Sequence, residues 1–246
     1  MPHATTDKLT ILYHDETLIA VHKPAAMLVH KSPIDQHETR YAMRILRDQI
    51  GQWVYPLHRL DKATSGLLLF ALDVETAQLM GQQFEQHRIE KRYLAIARGF
   101  MEKEFFVDHP LKDIAALKDQ EVEEPIYRDA RTHFTALKYF ELPHSDGRFA
   151  TSRYTLVEAK PETGRKHQIR RHLKHLSHPI IGDVRYGKGP HNRLFRDLLG
   201  CHRLLLAATD LRCQHPHRDE TLILNCPLQE DFEKLLVDLE PFNISR

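Results

Sequence analysis

The sequence predicts an α+β fold in which helices flank a mostly antiparallel β-sheet. Short segments rich in branched and aromatic residues, which are typical of strands, occur in neighbouring pairs along the chain. Other segments carry apolar residues at the spacing of an amphipathic helix. Because the sequence contains no internal repeat, low-complexity tract or Gly/Ser linker, we expect one domain over 1–246, with a core of about residues 9–243.

Eight segments are predicted as strands and three as helices. The first two strands flank the polar residues 14–16, which predicts a hairpin, and the third is continuously apolar, which predicts a buried strand. Asp73 has the side chain of a helix N-cap, and apolar residues follow it at helical spacing. The predicted strands cover 9–13, 17–23, 66–72, 92–98, 132–142, 152–160, 204–213 and 221–227, and the helices follow Asp73 or cover 167–176 and 228–240.

The segment HQIRRHLKHL predicts an amphipathic helix surrounded by positive charge. Ile169, Leu173 and Leu176 lie at positions i, i+4 and i+7, so they share one face. The longer stretch 164–175 contains no acid and carries the cations Arg165, Lys166, Arg170, Arg171 and Lys174. Such a surface suits contact with phosphates, and a solvated helix face is the alternative. The stretch 119–125 is, by contrast, strongly acidic.

The composition is that of a globular protein from a reducing compartment. Hydrophobic residues make up 41% of the 246 residues, and the mean hydropathy is -0.48. No apolar run approaches the roughly 18 residues that span a bilayer. The N-terminal residues 1–10 lack the basic and apolar regions of a secretory leader. The cysteines form no CxxC pair, so we expect free thiols and a cytoplasmic location.

Two further patterns predict neither a nucleotide site nor a metal site. GDVRYGKG, at 182–189, departs from the phosphate-binding loop because Gly189 replaces the hydroxyl residue that binds Mg²⁺, so we expect a surface loop. Among the 18 histidines, three follow one another at spacings of three, without a neighbouring carboxylate or cysteine to complete a metal site. We therefore expect no bound metal and a surface position for His172, His175, His178, His202, His215 and His217.

The segment HRLDKATSGLLLF, at 58–70, places a carboxylate at the edge of the predicted core. Asp61 lies between Arg59 and Lys62 and precedes Thr-Ser-Gly, which turns the backbone before the buried strand. We therefore expect the carboxylate to be held against apolar residues. The alternative is a turn-capping aspartate in a surface salt bridge.

HRLDKATSG resembles the signature HRLDxxTSG of the RluA-type pseudouridine synthases, and further motifs match that family in order. These motifs are VHKPAAMLVH at 21–30, KRYLAIARG at 91–99, TGRKHQIRRHL at 163–173 and HPIIGDVRYGKG at 178–189. The resemblance covers nearly the whole chain. It implies the pseudouridine synthase fold, a mixed, mostly antiparallel sheet with flanking helices and a central catalytic cleft. The family carries Gly where Ala26 stands, so we expect the backbone of Ala26 to avoid positive φ.

The resemblance also implies the catalytic residues. Asp61 is the essential nucleophile, and Arg170 is the main partner that keeps this carboxylate ionised. In general, burial disfavours the charged form of a carboxyl group, whereas a nearby guanidinium favours it. Tyr93 stacks on the uracil, and its phenol either relays the proton lost from C5 or takes no part in proton transfer.

Other residues are expected to bind the substrate. Arg59 is the alternative partner of Asp61 that is close in sequence, although the same resemblance implies that it helps to displace or hold the flipped nucleotide. We expect Leu67 and Leu173 to form walls of the pocket. A flipped base needs such a dry pocket. The candidates for contacts to backbone phosphates are Arg165, Lys166, Arg171, Lys174 and Lys31.

Isomerisation of uridine to pseudouridine breaks the C1′–N1 bond and joins C5 to C1′. The reaction exchanges no electrons and imports no group, so we expect no cofactor. The carboxylate can attack C1′, or it can remove the C2′ proton to give a glycal. The sequence leaves both routes open.

The expected substrate is tRNA. Because the motifs begin close to the first residue of the sequence, we expect no appended RNA-binding module. RKHQIRRHL, VHKS and QQFEQHRIEKRY resemble the family members that modify uridine 65 in the T-stem of tRNA. We expect a monomer without a protein or membrane partner. The alternatives are the same chemistry on ribosomal RNA, a non-catalytic RNA-binding protein, and a nucleoside glycosidase that acts on small substrates.

Overall fold

A computed structural model describes residues 8–31, 39–114 and 125–246. Two of the segments discussed above lie mostly outside the described residues. They are the N-terminal segment, of which residues 1–7 are not described, and the acidic stretch, of which residues 119–124 are not described. Within the described ranges, no helix combines the length and the apolar character needed to cross a membrane.

The described ranges contain runs of antiparallel strands together with five α-helices, which confirms the predicted α+β fold class. The strands are β1 (Thr10–His14), β2 (Leu18–Lys23), β3 (Tyr55–Pro56), β4 (Ser65–Ala71), β5 (Glu90–Arg98), β6 (Glu104–Asp108), β7 (Leu111–Lys112), β8 (Tyr127–Arg128), β9 (Arg131–Leu142), β10 (Ser152–Pro161), β11 (Leu206–Gln214), β12 (Thr221–Asn225) and β13 (Asn243–Ile244). The α-helices are α1 (Ala42–Ile50), α2 (Val74–Glu85), α3 (Gln168–His175), α4 (Gly189–Leu199) and α5 (Glu230–Leu239).

The chain divides into two compact units. Unit 1 contains Met1–Ile89 and Ala208–Leu228, and unit 2 contains Glu90–Ala207 and Gln229–Arg246. The division falls inside β11, so each unit is built from two separate segments of the chain. That the whole chain acts as one catalytic domain stays a prediction.

An antiparallel sheet and helix α2 form the core of unit 1. β1 pairs with β2 as the predicted hairpin, β2 pairs with β4, and β3 also pairs with β4. All residues of β4 are buried, which explains why this strand is continuously apolar instead of alternating. Leu67 and Leu69 of β4 pack with Leu18, Met80 and Leu211 in one cluster.

In unit 2, β5, β10 and β9 lie side by side in antiparallel register, and β6 and β13 pair with β9. Helix α3 contacts β10. Large aromatic side chains fill the interior of this unit. Those that are fully buried include Phe134, Phe140, Tyr154, Phe195 and Phe232.

Asp73 caps α2 as predicted. Its carboxylate accepts hydrogen bonds from the backbone N–H and from the hydroxyl of Thr76, both at 2.7 Å. These bonds lower the pKa of Asp73. They also satisfy an N–H group that has no partner within the helix, which fixes the start of α2.

The prediction for the backbone of Ala26 is wrong. Ala26 has a φ of 63°, in the left-handed region. The carbonyl groups of Pro24 and Met27, on either side of it, both accept hydrogen bonds at 2.8 Å from Nζ of the buried Lys23. This turn brings both carbonyl groups to one ammonium. The bonds offset the roughly 1–2 kcal/mol that an L-residue loses in the left-handed conformation.

The glycine of the Thr-Ser-Gly turn is required by the close approach of two strands. Gly66 has a φ of 115°, and a Cβ on it would overlap the backbone of Ala208 in β11. Both the conformation and the space therefore exclude other residues. Gly81 in α2 differs, because nothing lies within 4 Å of the position that its Cβ would take.

We expect Gly66→Ala to lower the free energy of unfolding by at least about 3 kcal/mol, because one of the two strands must shift. Gly81→Ala is the matched control, and we expect it to raise this free energy by about 0.5–1 kcal/mol, since alanine favours a helix. Urea unfolding followed by circular dichroism measures both changes. Equal stability of Gly66→Ala and the unmodified protein would contradict the close approach.

Candidate active site

In unit 1, Asp61 lies in the loop between β3 and β4. The loop turns where the backbone N–H of Thr64 donates to the carbonyl oxygen of Asp61 at 3.0 Å. Asp61 is partly buried, and Leu67, a predicted wall residue, is fully buried in β4. Arg59 and Lys31 are exposed. The loop therefore places Asp61 directly before the fully buried strand.

A buried lysine anchors this loop. Besides the turn carbonyls described above, Nζ of Lys23 contacts the carbonyl oxygen of Lys62 at 3.3 Å and donates to it. A fully buried ammonium requires several acceptors, and the backbone supplies them here. The residue after Asp61 is thereby held against the turn that follows β2. Lys23 was not among the predicted site residues, and its only indication in the sequence was the Lys-Pro pair of VHKPAAMLVH.

His58 fixes the segment that leads to Asp61. Its Nε2 accepts a hydrogen bond from the backbone N–H of Leu69 at 3.1 Å, and its ring stacks on Phe84 with centroids 5.6 Å apart. A ring nitrogen that accepts a hydrogen bond carries no proton, so His58 is neutral. The backbone N–H of Leu57 also donates to the carbonyl of Leu69, at 3.1 Å. The loop is thus held on both sides of Asp61.

In unit 2, Tyr93 lies on β5 opposite Ala159 of β10, and its side chain is partly buried. Lys91 precedes it by two residues and so projects from the same face of the strand. Burial lowers the pKa of Lys91, because a desolvated ammonium loses its proton more easily. The Lys-x-Tyr spacing therefore places a desolvated cation on the face that carries the predicted stacking residue.

Arg170 of α3 forms a buried ion pair with Asp183. Nε donates to Oδ2 at 2.7 Å and Nη2 donates to Oδ1 at 3.0 Å, and the two side chains are 7% and 0% exposed. Oδ1 also accepts from the backbone N–H groups of Arg185 and Tyr186, both at 2.9 Å. Burial raises the pKa of Asp183, but the bonds from Arg170 and from these two N–H groups lower it below its usual value. Asp183 is therefore ionised and holds the guanidinium in one orientation.

Asp183 lies in a hydrogen-bonded loop, Gly182–Gly187, which we call the site loop. A Cβ on Gly182, whose φ is 78°, would overlap the carbonyl oxygen of Arg203. The side-chain amide of Asn192, in α4, accepts from the N–H of Gly182 at 2.9 Å and donates to the carbonyl of Asp183 at 3.1 Å. The backbone of the loop is thus bonded to its surroundings around Asp183.

The expectation of a surface loop at 182–189 is wrong for one residue. Asp183 is 1% exposed, because it neutralises the buried Arg170. Its neighbours Val184 and Arg185 are exposed, as expected. The last residue of the stretch, Gly189, begins α4, a helix that the sequence patterns did not predict.

Gln168 holds the start of α3 against β9. Its Nε2 donates to the carbonyl oxygen of Arg131 at 2.9 Å and to Oγ1 of Thr132 at 3.0 Å. Its Oε1 accepts from the hydroxyl of Thr163 at 2.7 Å and from the N–H of Arg165 at 2.9 Å. All donors and acceptors of the buried amide are therefore used.

The prediction of a surface position is wrong for His172, which is fully buried. Its Nδ1 lies 2.9 Å from Oγ1 of Thr132, and its Nε2 lies 3.1 Å from the carbonyl oxygen of His109. Because a carbonyl only accepts, Nε2 carries the proton and Nδ1 accepts from the hydroxyl. Burial lowers the pKa of His172 to about 4. The histidines that are exposed as expected are His175, His202 and His217, and His178 is partly buried.

The same prediction is wrong for His215, in unit 1, which is also buried. Its Nε2 lies 2.9 Å from Oδ2 of Asp15, in the turn between β1 and β2. Burial raises the pKa of Asp15, but hydrogen bonds from Tyr13 and from the N–H groups of Thr17 and Leu18 lower it below its usual value. This carboxylate supplies the partner that allows the imidazole to be buried.

The ring of Tyr186 lies among cations. The guanidinium carbons of Arg170 and Arg185 lie 5.2 and 5.6 Å from the ring centroid, and Nζ of Lys174 lies 5.9 Å from it. The hydroxyl lies 3.0 Å from Nδ1 of His167, which precedes α3 with a φ of 58°. Asp183 and Tyr186 were not among the predicted site residues, although both belong to the matched segment HPIIGDVRYGKG.

The remaining predicted residues around α3 divide between its two faces. Leu173 is fully buried, and Arg170 of the same helix is also buried. The cations Arg165, Lys166 and Lys174 are exposed, and Arg171 is partly exposed. The segment before α3 and the outer surface of the helix therefore present four of the five predicted phosphate-binding cations, and the fifth, Lys31, lies in unit 1. The assignment of Arg170 as the partner of Asp61 stays a prediction.

The sequence matches a family model described as RNA pseudouridylate synthase over residues 17–175. A tRNA pseudouridine synthase C from Vibrio parahaemolyticus is 47% identical over 240 residues, which cover 95% of this chain and 96% of that protein. One from Haemophilus ducreyi is 48% identical over 229 residues, which cover 93% and 94%. Among solved structures, human RNA pseudouridylate synthase domain containing 4 matches with a TM-score of 0.70 at 25% identity, covering 94% of this chain and 92% of that chain.

The chain belongs to the RNA pseudouridylate synthase family, in its RluA-type branch. It is therefore an isomerase that converts uridine in RNA to pseudouridine, and the predicted pseudouridine synthase fold is confirmed.

We expect the stability of the protein to fall as the pH decreases from about 6.5 to about 4, in part because of His172. The unfolded chain binds a proton at this residue below pH 6.5, whereas the folded chain, with a pKa of about 4, does not. Over this window the contribution amounts to roughly 3 kcal/mol. Urea unfolding at several pH values measures it.

The control is His172→Asn, which removes the titrating group from the same place. We expect the variant to lose less stability on acidification than the unmodified protein, while other histidines contribute equally to both. Parallel plots of unfolding free energy against pH for the two proteins would show that His172 does not account for the loss.

Proposed function

We propose that this protein converts uridine 65 in the T-stem of tRNA to pseudouridine, with Asp61 as the catalytic carboxylate. The observation that carries the choice of tRNA is the set of relatives called tRNA pseudouridine synthase C, which are 47–48% identical over 93–95% of this chain. The motifs RKHQIRRHL, VHKS and QQFEQHRIEKRY support position 65 by resemblance. The exposed cations of α3 and of the segment before it supply a surface suited to RNA phosphates.

In the proposed reaction, the Asp61 carboxylate either attacks C1′ or removes the C2′ proton. The C1′–N1 bond breaks and the uracil turns over. When the C1′–C5 bond forms, the carboxylate leaves C1′ in the first route and returns the proton to C2′ in the second. C5 then gives up its proton while N1 gains one. Each route needs a carboxylate in one position. The hydrogen bonds of Lys23 and His58, on either side of Asp61, support such a fixed position in unit 1.

The other proposed roles rest on the resemblance together with the local geometry. Tyr93 stacks on the flipped uracil, a contact worth about 1–3 kcal/mol per base. Arg170 keeps the catalytic carboxylate ionised, and the ion pair with Asp183 supports this role because it holds the guanidinium still. Arg59, which is exposed, displaces or holds the nucleotide. The predicted walls, Leu67 and Leu173, are fully buried apolar residues.

We expect Asp61→Asn to abolish the release of tritium from tRNA labelled at C5 of uridine, because an amide supplies neither a nucleophile nor a base. Binding of tRNA should stay within a few-fold of the unmodified protein, since the amide has the same shape. A filter-binding assay measures the dissociation constant. If binding and release fall together, Asp61 has a structural role instead.

The same assay tests the substrate. A tRNA in which cytidine replaces uridine 65 should release no tritium, while ribosomal RNA fragments and free uridine should be poor substrates. Efficient release from the cytidine-65 tRNA would rule out position 65. Release from ribosomal RNA would favour the same chemistry on that RNA, and reaction of free uridine would favour a glycosidase.

We expect Arg170→Lys and Lys174→Ala to affect different parameters. Lysine keeps the charge but cannot bind both oxygens of Asp183, so kcat should fall by about 10²-fold with little change in the tRNA dissociation constant. Lys174→Ala should leave kcat unchanged and reduce the salt dependence of binding by about one phosphate contact. Thermal unfolding confirms that both variants are folded. Equal effects on both parameters would indicate that both residues merely bind phosphate.

A further inference from the structure

Val184 is an apolar side chain presented to solvent at the tip of the site loop. It is 97% exposed, and the next value among the exposed large hydrophobic residues described is 67%, at Val237. At such exposure the side chain contributes almost no burial to folding. The stability of the fold therefore does not depend on an apolar side chain at position 184.

The backbone that carries Val184 is held in place on both sides. Before it, Asp183 is bonded to Arg170 through its side chain and to Asn192 through its carbonyl. After it, the N–H groups of Arg185 and Tyr186 both donate to Asp183. The branched side chain of valine also has few rotamers, so little entropy is lost when it meets a ligand.

Two exposed cations lie near the residues of this apolar tip. Arg185 follows it directly, and both Arg185 and Lys174 approach the ring of Tyr186, two residues away. The acid of the loop, Asp183, is buried and paired, so it does not offset that charge at the surface. An apolar group on a hydrogen-bonded loop that also carries an exposed cation matches the chemistry of a nucleotide, which presents an apolar sugar or base face beside its phosphates.

We propose that Val184 is a substrate-contact residue, whose side chain packs against the ribose or base of a nucleotide in the tRNA while Arg185 and Lys174 contact the adjoining phosphates. This inference rests on the proposed function for the identity of the RNA. It adds to that function a contact in which an uncharged side chain contributes to the affinity for tRNA.

The test compares Val184→Ala with Val237→Ala, a matched change at an exposed valine of α5 that carries no predicted site residue. Val184→Ala should raise the tRNA dissociation constant about fivefold, because the contact loses two methyl groups. It should leave the salt dependence of binding unchanged, because no charge is lost. Val237→Ala should change neither quantity, and thermal unfolding should be the same for both variants.

Arg185→Ala is the complementary variant, and it should reduce the salt dependence by about one phosphate contact. Equal dissociation constants for Val184→Ala and Val237→Ala would overturn the inference, as would a change in salt dependence on replacing Val184. Binding is measured without turnover, so the two proposals fail separately. If no tritium is released but Val184→Ala still raises the tRNA dissociation constant, only the proposed reaction is rejected. If tritium release is normal but Val184→Ala leaves the dissociation constant unchanged, only the proposed contact is rejected.

Discussion

The buried ion pair between Arg170 and Asp183 is the constraint on which the site in unit 2 depends. Two charges removed from water are tolerated only when hydrogen bonds satisfy them, and the oxygens of Asp183 are bonded to both the guanidinium and the backbone of the site loop. The glycine that opens the loop is required by the closeness of Arg203. The same charge pair thus explains the position of α3, the shape of the loop and the burial of an arginine.

Unit 1 meets a similar demand in a different way. There the buried charge is the ammonium of Lys23, and backbone carbonyl groups satisfy it instead of a carboxylate. That arrangement requires Ala26 to adopt a left-handed conformation. It also connects the turn after β2 to the loop that carries Asp61. Gly66 then allows β4 to approach β11 closely. In both units, buried polar groups hold the loops that carry the motif residues, and exposed groups remain available for the substrate.

Sequence patterns correctly predicted the structural features that depend on residues close together in the sequence. The continuous apolar run of β4, the cap at Asp73 and the amphipathic stripe of α3 depend on residues close in sequence. The surface position predicted for His172 and His215 was wrong because their hydrogen-bond partners, Thr132 and Asp15, lie far away along the chain. Asp183 was missed for the same reason, since its charge is buried only because Arg170 lies against it. The family motifs identified the segments that matter but not which polar groups face inward.

The central claim is that Arg170 and Asp183 act as one unit, and a double-mutant cycle on the free energy of unfolding tests it most directly. Arg170→Met and Asp183→Asn each leave one buried charge without its partner, so each should cost about 3–5 kcal/mol. The double variant removes both charges, and its cost should fall short of the sum by more than about 2 kcal/mol. Costs that add to within about 0.5 kcal/mol would contradict the account.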